Sequence, residues 1–383
     1  MSNFPKVGIL GAGQLGKMLC QAASPWELSI HCLDASKDFP AGPYCQGFTE
    51  GSFKDYEDVL QFGRQMDVVT IEIEHVNTEA LTVLQKEGKI VHPNPQSLSI
   101  IKDKGLQKQF YATHNIPTSD FQLYDSKEML MEAIFDGTRS FPFVQKSRLA
   151  GYDGKGVAVI RSMEDMNSKG LTGPCMVEDL VAIEKEIAVV VARNENGAIQ
   201  AFEPVEMEFH PTANLVEFLS CPAVLTATQA TTAIELSKQI IEAFDICGLL
   251  AIELFLNKEG KIVVNEVAPR PHNSGHHTID SALTSQYEQH LRGILNLPLG
   301  STKITSPSIM VNLLGHPDHT GPVHYEGLAE CLAIAGVKIH IYGKAITKPF
   351  RKMGHVTVVA NTLEEARTKA KKVQNLLKSI SRE

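Results

Sequence analysis

The stretch Val263-Val264-Asn265-Glu266-Val267-Ala268-Pro269-Arg270-Pro271-His272-Asn273-Ser274-Gly275-His276-His277 decides how this chain is read. A hydrophobic strand runs straight into a dense set of polar groups. Ile262 to Val264 are apolar and β-branched, and they follow the turn-like Lys258-Glu259-Gly260. Next come an amide and a carboxylate (Asn265, Glu266), a guanidinium (Arg270), an imidazole (His272) and a second amide (Asn273). An apolar strand, Leu249 to Phe255, precedes the stretch by a short turn, so the two read as a hairpin. Glu253 and Glu266 then face each other across it. Paired carboxylates on apolar strands are costly without a cation between them. With only oxygen ligands on offer, Mg²⁺ is the expected ion, keeping waters and substrate phosphates in its shell.

Working outward, residues 6–99 alternate strand and helix. Strands are expected at Val7–Leu10, Leu28–Leu33 and Val68–Ile73, and helices at Gln14–Ala23, Tyr56–Gln65 and Glu79–Lys86. That is the pattern of a parallel, doubly wound α/β sheet. His92-Pro93-Asn94-Pro95 marks a domain edge. An amphipathic helix is expected from Lys102 to His114. Phe141 to Lys146 and Val157 to Ile160 form strands flanking the glycine-rich Gly151-Tyr152-Asp153-Gly154-Lys155-Gly156. Strands follow at Cys175–Glu178 and Glu186–Ala192, with helices at Ala230–Phe244 and Thr284–Leu295. A terminal β layer (Ser308–Leu314, Val337–Tyr342, His355–Val359) is closed by a charged helix from Leu363 to Ser379.

Several clusters carry chemistry, each with more than one reading. Gly11-Ala12-Gly13-Gln14-Leu15-Gly16 follows a strand and opens a helix, and Asp34 ends the next strand. This fits a dinucleotide fingerprint, a plain tight βα turn, or a mononucleotide phosphate site. Lys146 with the Gly151–Gly156 loop suits phosphate oxygens, or is a surface turn. His272, His276 and His277 could bind zinc, but no cysteine completes a site and Arg270 repels a cation. Lys344, Arg351 and Lys352 are either a solvated face or an anion clamp for a sugar phosphate.

Composition bounds the rest. The 383 residues suffice for two or three domains. The net charge of −8 argues against a general nucleic-acid binder. Seven scattered cysteines without Cys-x-x-Cys suggest a reducing cytoplasm. No apolar run is long enough for a membrane span, and the first residues lack a signal-peptide core.

Taken together and in this order, these pieces resemble the ATP-grasp ligases, and within them the N5-carboxyaminoimidazole ribonucleotide synthetase family of purine synthesis. The glycine turn, Glu72-Ile73-Glu74, Gly151 to Gly156, Asn265 to His277 and Arg351-Lys352-Met353-Gly354-His355 carry the resemblance across the whole chain. It implies an ATP-grasp fold in three parts. Residues 1–99 form a Rossmann-like domain, 100–185 a linker helix and lid, and 186–383 the core with a C-terminal β layer.

The resemblance also implies roles. Lys104, Lys146, Gly151, Tyr152, Asp153, Gly154, Lys155, Gly156 and Val157 would meet ATP phosphates. Glu178, Asp179, Leu180 and Val181 would form the adenine hinge, mostly through backbone groups. Glu186 would take the ribose, His210 another nucleotide contact, and Asn265 would lie beside the Mg²⁺ ligands Glu253 and Glu266. Aminoimidazole ribonucleotide would meet Gln14, Leu15 and Glu72 on one side and Asn273, Lys344, Arg351 and Lys352 on the other. Catalysis would fall to Lys146, Tyr152, Arg270 and His272. Bicarbonate is a poor electrophile, so ATP would convert it to carboxyphosphate before the amine attacks; His272 or the departing phosphate would take the proton. The family suggests a homodimer whose product passes to a separate mutase, with no nucleic acid or membrane as partner. Lys104 stands where arginine is more usual, Val157 where glutamine is, and Gln145 where an apolar residue is. The nearest alternative is the sister ligase joining formate to glycinamide ribonucleotide, which Tyr152-Asp153 and Asn273 to His276 disfavour. An NAD-dependent oxidoreductase, resting on Gly11 to Gly16 and Asp34, is the alternative of another class.

Overall fold

A computed structural model describes residues 4–149, 156–209 and 215–382. The first sheet forms from short runs, the central ones buried because helices cover both faces. Its elements are β1 (Val7–Leu10), α1 (Gln14–Ala23), β2 (Ile30–Asp34), β3 (Gly47–Glu50), α2 (Tyr56–Arg64), β4 (Val68–Ile71), α3 (Thr78–Lys86) and β5 (Ile90–Val91). The strand order is β3-β2-β1-β4-β5, parallel throughout. Strand β4 stops two residues earlier than expected, freeing Glu72 to turn back under the glycine turn.

The helix expected from Lys102 to His114 is α5 (Lys104–Thr113), and a further helix, α4 (Pro95–Lys102), runs into it from the expected domain edge. Asp103 breaks the run. Its extended backbone ends α4, and its carboxylate accepts from Gly105 and Leu106 N–H to cap α5. Next come β6 (Phe121–Tyr124), α6 (Lys127–Phe135), β7 (Phe143–Ser147), β8 (Val157–Ile160), α7 (Met163–Lys169) and β9 (Cys175–Asp179). They form an antiparallel sheet, β6-β9-β7-β8, over its own small core of Leu130, Phe143, Ile160, Met166 and Val177.

The rest of the described chain builds one large sheet and a separate three-stranded one. Their elements are β10 (Ile183–Arg193), β11 (Ile199–Ala201), β12 (Val205–Phe209), β13 (Val216–Cys221), α8 (Ala227–Ala243), β14 (Gly248–Asn257), β15 (Ile262–Ala268), α9 (Thr278–Ser281), α10 (Gln286–Ile294), β16 (Ser308–Leu314), β17 (Gly321–Glu326), α11 (Leu328–Leu332), β18 (Val337–Ile341), β19 (Ile346–Thr347) and β20 (Lys352–Val359). The order in the large sheet is β15-β14-β10-β12-β13-β16-β20-β18, with β11 beside β10; the three-stranded one is β17 with β19 and the terminal strand. The expected hairpin and the expected terminal β layer are thus parts of one sheet. Helix α8, opened by a Thr226–Gln229 capping box, covers the β10–β14–β15 face. The charged terminal helix, α12 (Leu363–Leu376), ends three residues short of expectation because the chain re-enters as β21 (Lys378–Ser381). That strand pairs β17 from Val323 to Glu326, a partner more than fifty residues away that no local pattern reveals.

Helix α10 joins the two large parts. Its Tyr287, Leu291 and Ile294 pack into the same core as Val7, Ile9, Leu15 and Leu19. Beneath it the His290 ring and the Thr70 hydroxyl on β4 meet at 2.9 Å.

Candidate active site

The hairpin β14–β15 places Glu253 directly opposite Glu266. The ladder then slips: Leu254 pairs Val264, so Asn265 is the extra residue of a β-bulge. The bulge turns Asn265 toward the same face as the carboxylates. Its Oδ1 accepts from Lys146 Nζ at 2.9 Å, and its Nδ2 reaches Glu253 Oε2 at 3.5 Å. Consecutive residues of a regular strand point to opposite faces, so without the bulge Asn265 and Glu266 could not both serve this site.

Three lysines answer the carboxylates. Lys104 pairs with Glu266, Lys146 with Glu178, and Lys108 with Glu178 at 2.8 Å. Lys104 and Lys108 are one helical turn apart on α5, so both reach the same side. Burial pushes Glu253 up, and the facing Glu266 and nearby Glu186 add to the rise. Glu266 is recessed, which also disfavours its charge, but Lys104 and Lys146 more than offset this and hold it below the usual range. Glu178 is nearly fully buried; Lys146 and Lys108 outweigh that and bring it to about 2. The hairpin therefore carries one firm carboxylate and one that resists ionising beside it, the electrostatic state a divalent cation would relieve. Among the described residues no group of three or more His, Cys, Asp or Glu is arranged to hold a metal. Two carboxylates alone suit Mg²⁺, which completes its octahedron with water and phosphate.

Beyond the hairpin the chain meets the first domain. Arg270 pairs with Glu74 at 2.8 Å and donates to Pro271 O at 3.0 Å. His272 Nε2 lies 3.7 Å from Glu253 Oε1, and its Nδ1 is 2.9 Å from Ser274 Oγ. Burial, with the charges of Arg270 and Lys352, lowers the imidazole to about 3, so it is neutral near pH 7. Asn273 and Asn312 of β16 exchange amide hydrogen bonds at 2.8 and 3.2 Å. From the other side Lys17 of α1 donates to Ile341 O at 2.8 Å, fastening the helix of Gln14 and Leu15 beside the turn that carries Lys344. Lys344 Nζ donates to Lys352 O at 2.7 Å, and Arg351 donates to Ile346 O at 2.6 Å.

The glycine turn has an occupant. Gly13 and Gly16 N–H both donate to the Glu72 carboxylate, and Ala12 N–H donates to Asp34 at 2.7 Å. The donors that a dinucleotide pyrophosphate needs, and the acid that would hold its ribose, are engaged within the protein. A Cβ at Gly13 would stand 2.7 Å from Glu72 Oε1, so this close approach is why glycine is required there. The oxidoreductase alternative loses its basis.

Other expected residues fall as follows. Glu186 lies on β10 two residues from Ala188, the register partner of Glu253, and Lys146 tempers the rise that burial causes in it. Asp179 pairs with Arg139 at 2.8 Å, while Leu180 and Val157 are each 38% exposed. Glu178, expected to work through its backbone, also carries the buried ion-pair cluster. Gln145 is fully buried and exchanges both amide bonds with Leu171, which explains a polar residue before Lys146. Gly156 follows the loop at φ +72°. Gly151, Tyr152, Asp153, Gly154, Lys155 and His210 lie outside the described residues. Lys108 and Glu74 are site residues that the sequence reading passes over. The Lys104–Lys108 spacing and the Glu72-Ile73-Glu74 motif were the available signals.

Three family models match along the chain: a ribonucleotide synthetase preATP-grasp domain (4–102), an ATP-grasp domain (109–287) and a phosphoribosylaminoimidazole carboxylase C-terminal domain (308–369). Fold and site together define an ATP-grasp ligase. The N5-carboxyaminoimidazole ribonucleotide synthase of Aquifex aeolicus is 36% identical, covering 97% of this chain and 97% of that one. The structure of the Thermotoga maritima N5-carboxyaminoimidazole ribonucleotide synthetase superposes with a TM-score of 0.91 at 40% identity, covering 99% and 100% of the two chains. The chain belongs to the N5-carboxyaminoimidazole ribonucleotide synthase family. A further solved relative, from Aspergillus clavatus in complex with ADP and 5-aminoimidazole ribonucleotide, has a TM-score of 0.88 at 32% identity over 98% and 99% of the chains. The chain spans 64% of the length of the phosphoribosylaminoimidazole carboxylases it matches in Vigna aconitifolia and Candida glabrata.

Proposed function

We propose that this protein carboxylates the exocyclic amine of aminoimidazole ribonucleotide with bicarbonate, converting ATP to ADP and phosphate through carboxyphosphate. The observation that carries the reading is the bulged hairpin. One short segment presents the Glu253–Glu266 pair to the lysines of the nucleotide side and Arg270, His272 and Asn273 to the mononucleotide side. The division 1–99, 100–185 and 186–383 then has a functional sense: one wall for the mononucleotide, a cover for ATP, and the catalytic sheet.

Mg²⁺, held by Glu253 and Glu266, would neutralise charge on the transferring phosphoryl group. Lys104 and Lys146 would add fixed positive charge to the same oxygens. In the present structure both lysines pair with carboxylates, so nucleotide binding exchanges one set of anionic partners for another. Arg270 is locked by Glu74 in one orientation, which suits a bidentate hold on carboxyphosphate. Lys344, Arg351 and Lys352 would take the ribose phosphate, with Gln14, Leu15, Glu72 and Asn273 around the base and sugar. His272 is a neutral base within the site; the phosphate released from carboxyphosphate is the substrate-borne alternative. Carboxyphosphate hydrolyses readily, so the Gly151–Gly156 segment and Tyr152 would serve by excluding water. A homodimer, delivery of product to a separate mutase and a cytoplasmic setting complete the reading. No described helix is long and apolar enough to cross a membrane.

The test is phosphate release from ATP and Mg²⁺ with two substrate sets, aminoimidazole ribonucleotide plus bicarbonate and glycinamide ribonucleotide plus formate. Stimulation by the first set alone, with labelled bicarbonate entering the product, is the expected result. Stimulation by the second alone would move the protein to the sister ligase.

A further inference from the structure

The segment that carries His272 and Asn273 has only one short 3-10 turn, Asn273–Gly275, yet its residues must keep one geometry. Both main-chain groups of His272 are held from behind by one side chain. Gln286, in the first turn of α10, is 0% exposed. Its Oε1 accepts from His272 N–H at 2.9 Å, and its Nε2 donates to His272 O at 2.8 Å. The same Nε2 lies 3.1 Å from His276 Nδ1. The amide thus pairs with both main-chain groups of one residue, as a neighbouring strand would. The main-chain N–H of Gln286 donates to Thr278 Oγ1 at 2.8 Å, and Thr278 Oγ1 donates to Gly275 O. A Cβ at Gly275 would stand 2.3 Å from Gln286 Oε1, so the segment and the amide are in closest packing.

We propose that Gln286 is a positioning residue for the carboxylation step, fixing the His272–Asn273 segment against the metal carboxylates and the mononucleotide without touching either. Only an amide of this length supplies donor and acceptor together at that reach. Glutamate lacks the donor, asparagine lacks the reach, and methionine lacks both groups. Because α10 also packs on α1, the anchor ties the segment to the wall that holds Gln14 and Leu15. The proposal rests on the functional reading above.

The predicted defect is specific. Phosphoryl transfer uses the hairpin and the lysines, which Gln286 does not touch. Capture of the carboxyl group needs His272 and Asn273 in place, and a misplacement near 1 Å can cost on the order of a hundredfold. The experiment compares wild type, Gln286→Met and Gln286→Asn for carboxylated product formed per phosphate released, with the ATP KM and the melting temperature of each. We expect the ratio of product to phosphate to fall about tenfold in both variants, with the ATP KM within about twofold of wild type. A merely structural role would lower product and phosphate together. Folded variants as tightly coupled as wild type, or a proportional loss of both activities, would overturn the positioning role alone. If one variant does not fold, the other decides. A wild type that forms no carboxylated product would overturn the functional reading, and this inference with it.

Discussion

Glu178 shows how much of this site is decided by single buried charges. Its carboxylate is shared by Lys108 and Lys146, and Ser119 donates to it at 2.9 Å. Because its folded pKa, about 2, lies below the ordinary 4.5, its contribution to stability is fully present above pH 4.5 and is lost as pH falls toward 2. Lys108→Met removes one of the two cations. We expect it to cost about 3 kcal/mol, the lower end for breaking a buried pair because Lys146 remains, and to move acid unfolding to higher pH. Urea titrations at pH 7 and pH 4 check both. Glu266→Ala should abolish ATP turnover while the protein keeps its fold, read by phosphate release and circular dichroism; near-normal turnover would remove the metal assignment. Lys108 escapes a sequence reading because Lys-Asp-Lys-Gly-Leu-Gln-Lys looks like a solvated helix face. Only the docking of the 117–119 segment beside β15 encloses it, with Val264 N–H donating to Pro117 O at 2.8 Å.

At the level of elements, legibility followed the range of the interactions that build each one. Helix α1 and strand β1 were readable to the residue because a buried apolar run, a glycine turn and a helical period lie next to one another. The Glu253–Glu266 pairing was readable because a hairpin register is local. The bulge at Asn265 was not, since it is set by the partner strand. Strands β6, β12, β13 and β17 went unread. Each is short and partly exposed, so its pattern is weak, and each is completed by a distant neighbour. The clamp is the element where sequence and structure divide the work. Lys352 opens β20 directly after Arg351, and the preceding Phe350 is held at φ +58° between Gly315 and the turn. Arg351→Ala should weaken mononucleotide binding by about 1.5–3 kcal/mol, or roughly ten- to a hundredfold, with little change for ATP. Isothermal titration with each ligand separates the two, and equal losses would contradict the clamp.

Across the whole molecule, buried imidazoles set the acid limit. His276, His277, His290 and His355 are all within 2% of full burial. Desolvation lowers every one of them, His277 to about 4 and His290 to about 3. The unfolded chain binds protons at these positions below pH 6.5 while the folded chain does not, so stability rises with pH across the window from about 4 to 6.5. The melting temperature should therefore fall between pH 7 and pH 5, before most carboxylates titrate. A flat profile over that range would contradict the assignment. The large sheet has a different consequence. The β14–β15 hairpin is at one edge and β18, which leads into the proposed clamp, is at the other, joined rung by rung through backbone hydrogen bonds. Adjacent strands are spaced about 4.8 Å apart, so the sheet is a ruler of roughly 35 Å whose divisions cannot be stretched. The segment after the hairpin returns across that span, where Asp280 meets His340 of β18 at 2.8 Å, so the two halves of the proposed site are held at a set separation.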